Sequence, residues 1–448
     1  MTRTAPARAP STAATPQRGL VLIGVAIVLT ALNLRTAVAS VGPVLQELEA
    51  GLGISSGLAG LITTMPVICF SIIGFAGPTL SARYRDSHVL SAALVTMSAG
   101  LVVRAAAPTF ALFLAGTVLA MVGGALGNVL LPSLVKRYFP GRTGLLVGAY
   151  STAMALGATA AAVATAPIAA AVGADGWRWA LGVWAVPAVL AAVPWLFVPA
   201  RKGAGRDTHT AVRLRDLRHS RMALAVMLFF AVQGLEAYVI IGWVAQYLRD
   251  SGLSAATAGL LLGLNQFIGI PLSAVVPALV VRPRLQRPLL VAFLTCYAVG
   301  WTGLWLAPRT APWLWMVVLA VAMALFPMIL TLIGLRARTP ETTAALSTFV
   351  QSWGYAIAGA GPLLVGVLRG VTGSYVPMFV LVLSGVAVLA WTGWLITRER
   401  YVDDEVNRFV PGWSSSGHCD DVLESAGAEA PVSAHVTHGD GGSPRGPA

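Results

Sequence analysis

Ala31-Leu32-Asn33-Leu34-Arg35-Thr36-Ala37-Val38, followed closely by Val41-Gly42-Pro43, lies inside the first long apolar run of the chain, Gly19 to Gln46. Arg35 is the only charge in that run. A bilayer core about 30 Å thick is crossed by about 20 helical residues, so the run is long enough to span. At about 1.5 Å of rise per residue, Arg35 falls near mid-depth. A lone arginine there costs roughly 2.5–3.5 kcal/mol on insertion scales. Two readings account for it. Either the side chain snorkels to the interface or braces neighbouring helices, or it faces a water-filled cavity where an anionic or electron-rich solute binds.

Composition fixes the class. The 448 residues are 56% hydrophobic and only 11% charged, with a mean hydropathy of +0.76, whereas a soluble globular chain carries about 25% charged residues. This is a membrane protein. Its net charge of +12 would suggest nucleic acid in a soluble chain, but here the placement of the cations matters more than their sum. Cys69 and Cys296 fall in apolar runs and Cys419 in the polar tail, which gives neither a disulfide framework nor metal-ligand spacing. Residues 1–18 are rich in Ala, Pro, Thr and Arg and have no acid. They run directly into a span-length segment rather than a short signal-peptide core, so the expectation is a disordered cytoplasmic leader without cleavage.

Apolar runs separate at charges, Gly and Pro into spans near 19–46, 56–80, 89–105, 109–133, 144–172 and 177–199. Six more follow near 222–248, 254–281, 288–307, 312–335, 342–368 and 375–397. The expected fold is an all-α membrane protein of twelve transmembrane helices. It divides into an N-terminal half (19–199), a cytoplasmic linker (200–221), a C-terminal half (222–397) and a disordered cytoplasmic tail (398–448). Loops on the side of the N-terminus hold Arg83 and Arg85, then Lys136, Arg137 and Arg142, then seven cations from Arg201 to Arg221. Arg282, Arg284, Arg287, Arg336, Arg338, Arg398 and Arg400 follow on that side. The opposite loops hold at most one each: Arg104, Arg178, Arg249, Arg309 and Arg369. By the positive-inside rule both termini are cytoplasmic and the protein is a multi-pass component of the plasma membrane. The basic loops then read as topology and anionic-lipid contact, not nucleic-acid binding.

The two sets of six spans carry weak self-similarity. Ile54-Ser55-Ser56-Gly57-Leu58-Ala59-Gly60-Leu61 follows the first span, and Leu253-Ser254-Ala255-Ala256-Thr257-Ala258-Gly259-Leu260 follows the seventh. Pro78 and Pro277 sit at matching offsets, as do Pro132 and Pro327 to a looser degree. Parallel repeats of this kind place a transporter's site between pseudo-symmetric halves near mid-membrane. Gly116, Gly123, Gly124 and Gly127, with Gly354, Gly359 and Gly361, allow close helix approach.

Glu236 is the mid-span charge of the second half, close to where the repeat puts the counterpart of Arg35. Phe229, Gln233, Glu236, Trp243 and Tyr247 share one helical face and read as a cavity wall, with bundle packing as the alternative. In the first span Asn33, Thr36 and Ser40 form a polar stripe, and Arg35 starts about 100° away from Thr36. Asn128, Asn265, Gln266 and Gln351 are further mid-span polar residues, each by itself a helix-to-helix hydrogen bond worth about 0.6–2 kcal/mol. As a set around Arg35, the residues Asn33, Thr36, Asn128, Gln233, Asn265 and Gln351 are the candidate solute ligands. Tyr150, Trp353 and Tyr355 are candidate aromatic walls. No histidine lies within a span, which leaves Glu236 as the candidate proton-coupling group.

Leu32-Asn33-Leu34-Arg35 leading to Ser40-Val41-Gly42-Pro43-Val44-Leu45 resembles the first span of the cyanate/2-nitroimidazole transporter (CynX/NimT) family of the major facilitator superfamily. Leu61-Ile62-Thr63-Thr64-Met65-Pro66-Val67, Leu131-Pro132-Ser133-Leu134-Val135-Lys136-Arg137 and Arg142-Thr143 to Gly148 support it, and the resemblance covers roughly residues 17 to 398. Two departures stand out. Thr36 occupies a place where the family often has proline, and Gly77-Pro78-Thr79-Leu80-Ser81-Ala82-Arg83 is a degenerate form of the superfamily's loop motif. The resemblance implies the major facilitator fold and a rocker-switch carrier of a small cyanate-like or nitro-aromatic solute, with proton coupling open. A proton-coupled multidrug exporter is the rival carrier, and the cationic site argues against it. An intramembrane enzyme would need a clustered nucleophile and base, or metal ligands, within the spans. A sensor would need a sizeable soluble domain. The expectation is therefore a non-enzymatic carrier without metal or cofactor, acting as a monomer on a small solute in the bilayer.

Overall fold

The computed structural model describes residues 17–83, 86–139, 142–198 and 214–409. The leader up to residue 16, the linker over 199–213 and the tail from residue 410 lie outside the described residues, as do the side chains of the Gly77–Arg83 motif. Every regular element described is helical, and twelve segments are long and apolar enough to cross a membrane. In the N-terminal half they are Gly19–Leu52, Ser56–Ile73, Ser87–Ala106, Phe110–Asn128, Leu145–Val172 and Gly176–Phe197. In the C-terminal half they are Arg221–Asp250, Ala255–Val280, Pro283–Leu306, Pro312–Leu335, Thr342–Thr372 and Val376–Ile396. They are called spans one to twelve below. The end of the bundle away from Gln17 and Val402–Val406 is called the distal end.

Polar residues at the loop edges start the helices. Thr109, Ser220, Ser254 and Thr339 each accept a hydrogen bond from the backbone N–H three residues on, at the starts of spans four, seven, eight and eleven. The duplication is visible where spans one and seven end. Gly53 and Gly252, which correspond in the repeat, both take the left-handed conformation that L side chains rarely adopt. Ile54 N then donates to Glu49 O at 3.0 Å and Leu253 N to Leu248 O at 3.1 Å, the same Schellman closure in both halves.

Several spans are interrupted. Span one is a helix over Gln17–Asn33, a turn at Leu34 and Arg35, a short helix over Thr36–Ala39, a 3-10 turn over Gly42–Val44 and a last helix over Leu45–Leu52. Span seven passes through a π-helical turn over Ile240–Val244. Large side chains such as Leu196, Phe197, Leu306 and Trp391 stay exposed on the outside of the bundle, where lipid covers them.

The first residues of the expected disordered tail are ordered. Val402–Val406 is a short helix with Val402 and Val406 fully buried. Glu405 accepts from Ser220 Oγ (2.8 Å) and Met222 N (2.9 Å), while Asp403 accepts from Thr342 Oγ1 (2.7 Å) and Arg338 N (2.8 Å). Carboxylates are favoured at helix N-termini, and here Glu405 caps span seven while Asp403 ties down the residues around the start of span eleven. The acidic composition that suggested disorder is the means of docking.

Candidate substrate site between the halves

Span one breaks at Leu34–Arg35 with neither proline nor glycine at the break. The side chains on either side supply what the helical ladder loses. Thr36 Oγ1 donates to Asn33 O at 2.8 Å, and Asn33 Nδ2 donates both to Leu29 O (2.8 Å) and to Pro187 O of span six (3.1 Å). The polar stripe of span one therefore faces the interior of its own half. Arg35, on another face, is left free to point toward the second half.

Arg35 lines a cavity of about 10 Å³ with Val38, Ala39, Phe70, Ala158, Tyr238, Ile241 and Gln266. A second cavity of about 10 Å³ adjoins it, sharing Val38, Tyr238 and Ile241 and adding Thr63, Thr117 and Met121. Each has room for about one water. Arg35 makes no hydrogen bond or ion pair among the described residues, and Tyr238 shares the cavity with it. The Nε2 of Gln266, itself buried, has no hydrogen-bond partner. Tyr355 packs against Phe70, Phe230 and Tyr238 with ring centroids 5.9, 5.0 and 6.5 Å apart. The wall is thus aromatic, with a guanidinium and an amide N–H₂ as spare donors and no carboxylate among its lining residues.

The other residues expected at the site lie elsewhere. Gln233 Nε2 donates to Tyr297 OH at 3.1 Å, and Trp301 Nε1 donates to Glu236 Oε2 at 2.7 Å, both inside the C-terminal half. Glu236 Oε1 faces Gly385 of span twelve, and no ion pair joins Glu236 to Arg35 among the described residues. Trp243 and Tyr247 donate to Pro362 O and Leu304 O, so the whole Phe229–Tyr247 stripe is bundle packing rather than cavity wall. Burial without a donor would be prohibitive for a carboxylate, and Trp301 supplies one within the half. Asn265 Nδ2 donates to Met316 O at 3.1 Å, Gln351 Nε2 to Ser347 Oγ of its own helix at 2.7 Å, and Asn128, half-buried on span four, is not among the residues lining either cavity. Tyr238 and Phe70 are what sequence reasoning missed, and Gln266 reads in sequence only as a mid-span polar residue outside the ligand set. Tyr238 lies two residues, about 200°, around the helix from Glu236, so following the charge selects the wrong face.

The two interrupted spans meet. A Cβ on Gly42 would lie 2.6 Å from the carbonyl oxygen of Ile241, its counterpart in the repeat, inside the π-helical turn. Further out, ion pairs join the halves at the distal end. Arg249 holds Glu47 through two bonds of 2.6 and 2.7 Å and also donates to Pro43 O. Arg369 reaches Asp250 at 2.8 Å, Glu49 at 3.5 Å and Ser56 Oγ at 2.7 Å, and Gln246 donates to Glu49 at 3.2 Å. Tyr375 donates to Asp250 at 2.7 Å; burial and then this hydrogen bond push its phenol well above the usual range. From this seal the described cross-half contacts continue inward through Thr64–Gly359 to Ser71–Ser352.

Residues 23–362 match the Major Facilitator Superfamily. A 2-nitroimidazole transporter of Escherichia coli (strain K12) is 34% identical over 387 residues, which cover 85% of this chain and 95% of that protein. The cyanate transport protein CynX of the same organism is 30% identical over 350 residues, covering 78% and 90%. Among solved structures, an inward-facing, occupied bacterial homolog of the human lysosomal transporter Spinster aligns with a TM-score of 0.70 at 16% identity, over 87% of this chain and 98% of that one. The inward-open xylose transporter XylE from E. coli gives 0.69 at 17% identity, over 87% and 99%. These two likenesses bear on the fold alone.

Proposed function

The chain belongs to the Major Facilitator Superfamily, within the group that holds the 2-nitroimidazole and cyanate transporters, and we propose that it carries a small anionic or nitro-bearing solute across the plasma membrane by alternating access. Both termini face the cytoplasm in this reading, which rests on the cation asymmetry of the loops. The observation that carries the substrate class is the pair of spare donors at one cavity, Arg35 and the Gln266 amide. A guanidinium offers a rigid fork of donors that two oxygens of a nitro group or a small anion can accept together. The aromatic rings beside it suit a flat solute. The cavities hold about one water each, so loading requires the halves to separate, as alternating access demands.

Proteoliposome uptake of labelled cyanate and of 2-nitroimidazole tests this. Saturable uptake of at least one is expected, and it should vanish in Arg35→Ala. If neither is carried while lipophilic cations are expelled, the protein is a multidrug exporter and the anionic reading fails.

A further inference from the structure

Arg104 has no part in the solute site, yet it is fully buried. Its position near the end of span three reads in sequence as a loop cation; in the structure the side chain turns into the N-terminal half. Nη1 donates to Ala37 O at 2.9 Å and Nη2 to Ser40 Oγ at 3.0 Å, while Nε has no partner. No carboxylate accompanies it among the described residues. Both acceptors belong to the segment that follows the break at Arg35. Val41 N donates to Val38 O rather than to Ala37 O, so Arg104 takes up a carbonyl that the change of helix type sets free.

The backbone of Arg104 is itself fixed. A Cβ on Gly116 of span four would lie 2.6 Å from Arg104 N, and a Cβ on Gly100 would strike Ala120 N. Spans three and four therefore cross in backbone contact at this point, a packing that small residues permit. Thr36–Ser40 hangs from a rigid post by two charge-assisted hydrogen bonds. Because the helix is broken on the other side of Arg35, the main ladder of span one does not hold the segment in register.

We propose that Arg104 is a positioning residue for Arg35: it anchors Thr36–Ser40 and so sets the direction in which Arg35 leaves the break toward the cavity. This rests on the solute-facing reading of Arg35, and one arm of the test is independent of that reading. Val38→Cys, which lines the cavity one turn from Arg35, is placed in the full-length chain with Cys69→Ser, Cys296→Ser and Cys419→Ser, and its reaction with N-ethylmaleimide in liposomes is timed. Arg104→Gln is expected to change that rate by about fivefold or more, and to raise KM for whichever of cyanate or 2-nitroimidazole is carried by about tenfold with kcat within about threefold. Arg104→Lys, which keeps charge but loses the fork, should fall between, and Ser40→Ala, which removes one acceptor, should shift both readouts about two- to threefold. A purely structural arginine would lower the folded yield and leave KM and labelling of the folded fraction unchanged. If Arg104→Gln does not fold, Arg104→Lys and Ser40→Ala decide. Labelling rates equal to the parent's in every folded variant overturn the proposal, whatever happens to transport. If the parent carries neither solute, the substrate reading fails and the labelling alone decides this one.

Discussion

Asn265 and Gln266 are neighbours on span eight with opposite fates. Asn265 is a strut to span ten through Met316 O, whereas the buried amide of Gln266 points at the Arg35 cavity with its N–H₂ unpaired. Asn265→Leu should therefore lower thermal stability by about 1–2 kcal/mol with little change in KM, since it removes a made hydrogen bond. Gln266→Leu should do the reverse, raising KM by roughly tenfold while leaving stability unchanged or slightly improved, because an unpaired polar group leaves the core. Arg35→Lys is expected to raise KM at least as much as Gln266→Leu, since a point charge replaces the fork. Thermal shift together with transport kinetics separates the variants, and a Gln266→Leu protein with parental KM would remove that residue from the site. Sequence alone locates Arg35, a lone charge in a span. It does not separate Asn265 from Gln266, because which of two adjacent residues faces the cavity depends on helix rotation, and that is set by packing.

Spans one and seven are the elements that meet at the centre, each interrupted where it meets the other. The close approach of Gly42 to the Ile241 carbonyl leaves no room for a side chain. Gly42→Val should push the two spans apart, costing about 1–3 kcal/mol as other overpacked sites do. The distal seal should loosen with it. Accelerated reaction of Thr63→Cys, in the adjoining cavity, would report this, and an unchanged rate with parental stability would contradict it. The twelve spans are legible, most ends to within two residues and a few off by four to seven, because span length follows directly from apolar run length. The interruptions are not. Leu34 and Arg35 carry no helix-breaking chemistry, and the π-helical turn over Ile240–Val244 contains only one glycine in an otherwise apolar run. Such breaks are held by partners distant in sequence, such as Pro187 for Asn33.

At the scale of the molecule, two arginines that read only as topology markers join the halves. Arg249 and Arg369 contact Glu47, Glu49 and Asp250 with side chains between 12% and 36% exposed, so these pairs are screened less than open surface ones. Removing one set of charge-assisted bonds forfeits roughly 1.5–3 kcal/mol, or about tenfold to a hundredfold in the balance between conformers. Arg369→Ala should thus populate a form open at the distal end. Faster labelling of Thr63→Cys by an impermeant thiol reagent applied outside intact cells would show it and would place the distal end outside. Labelling that stays at the parental rate would deny the pairs a gating role. The docked segment Val402–Val406 bears on how the molecule is made. The start of span seven receives its carboxylate cap from Glu405, a residue 183 positions downstream of Met222. During synthesis only the local Ser220 cap serves that helix end until the chain has left the ribosome as far as Glu405, so the C-terminal half is fastened from its far end. A chain cut just before Val402 would contain every span and still lack the clasp that completes the half.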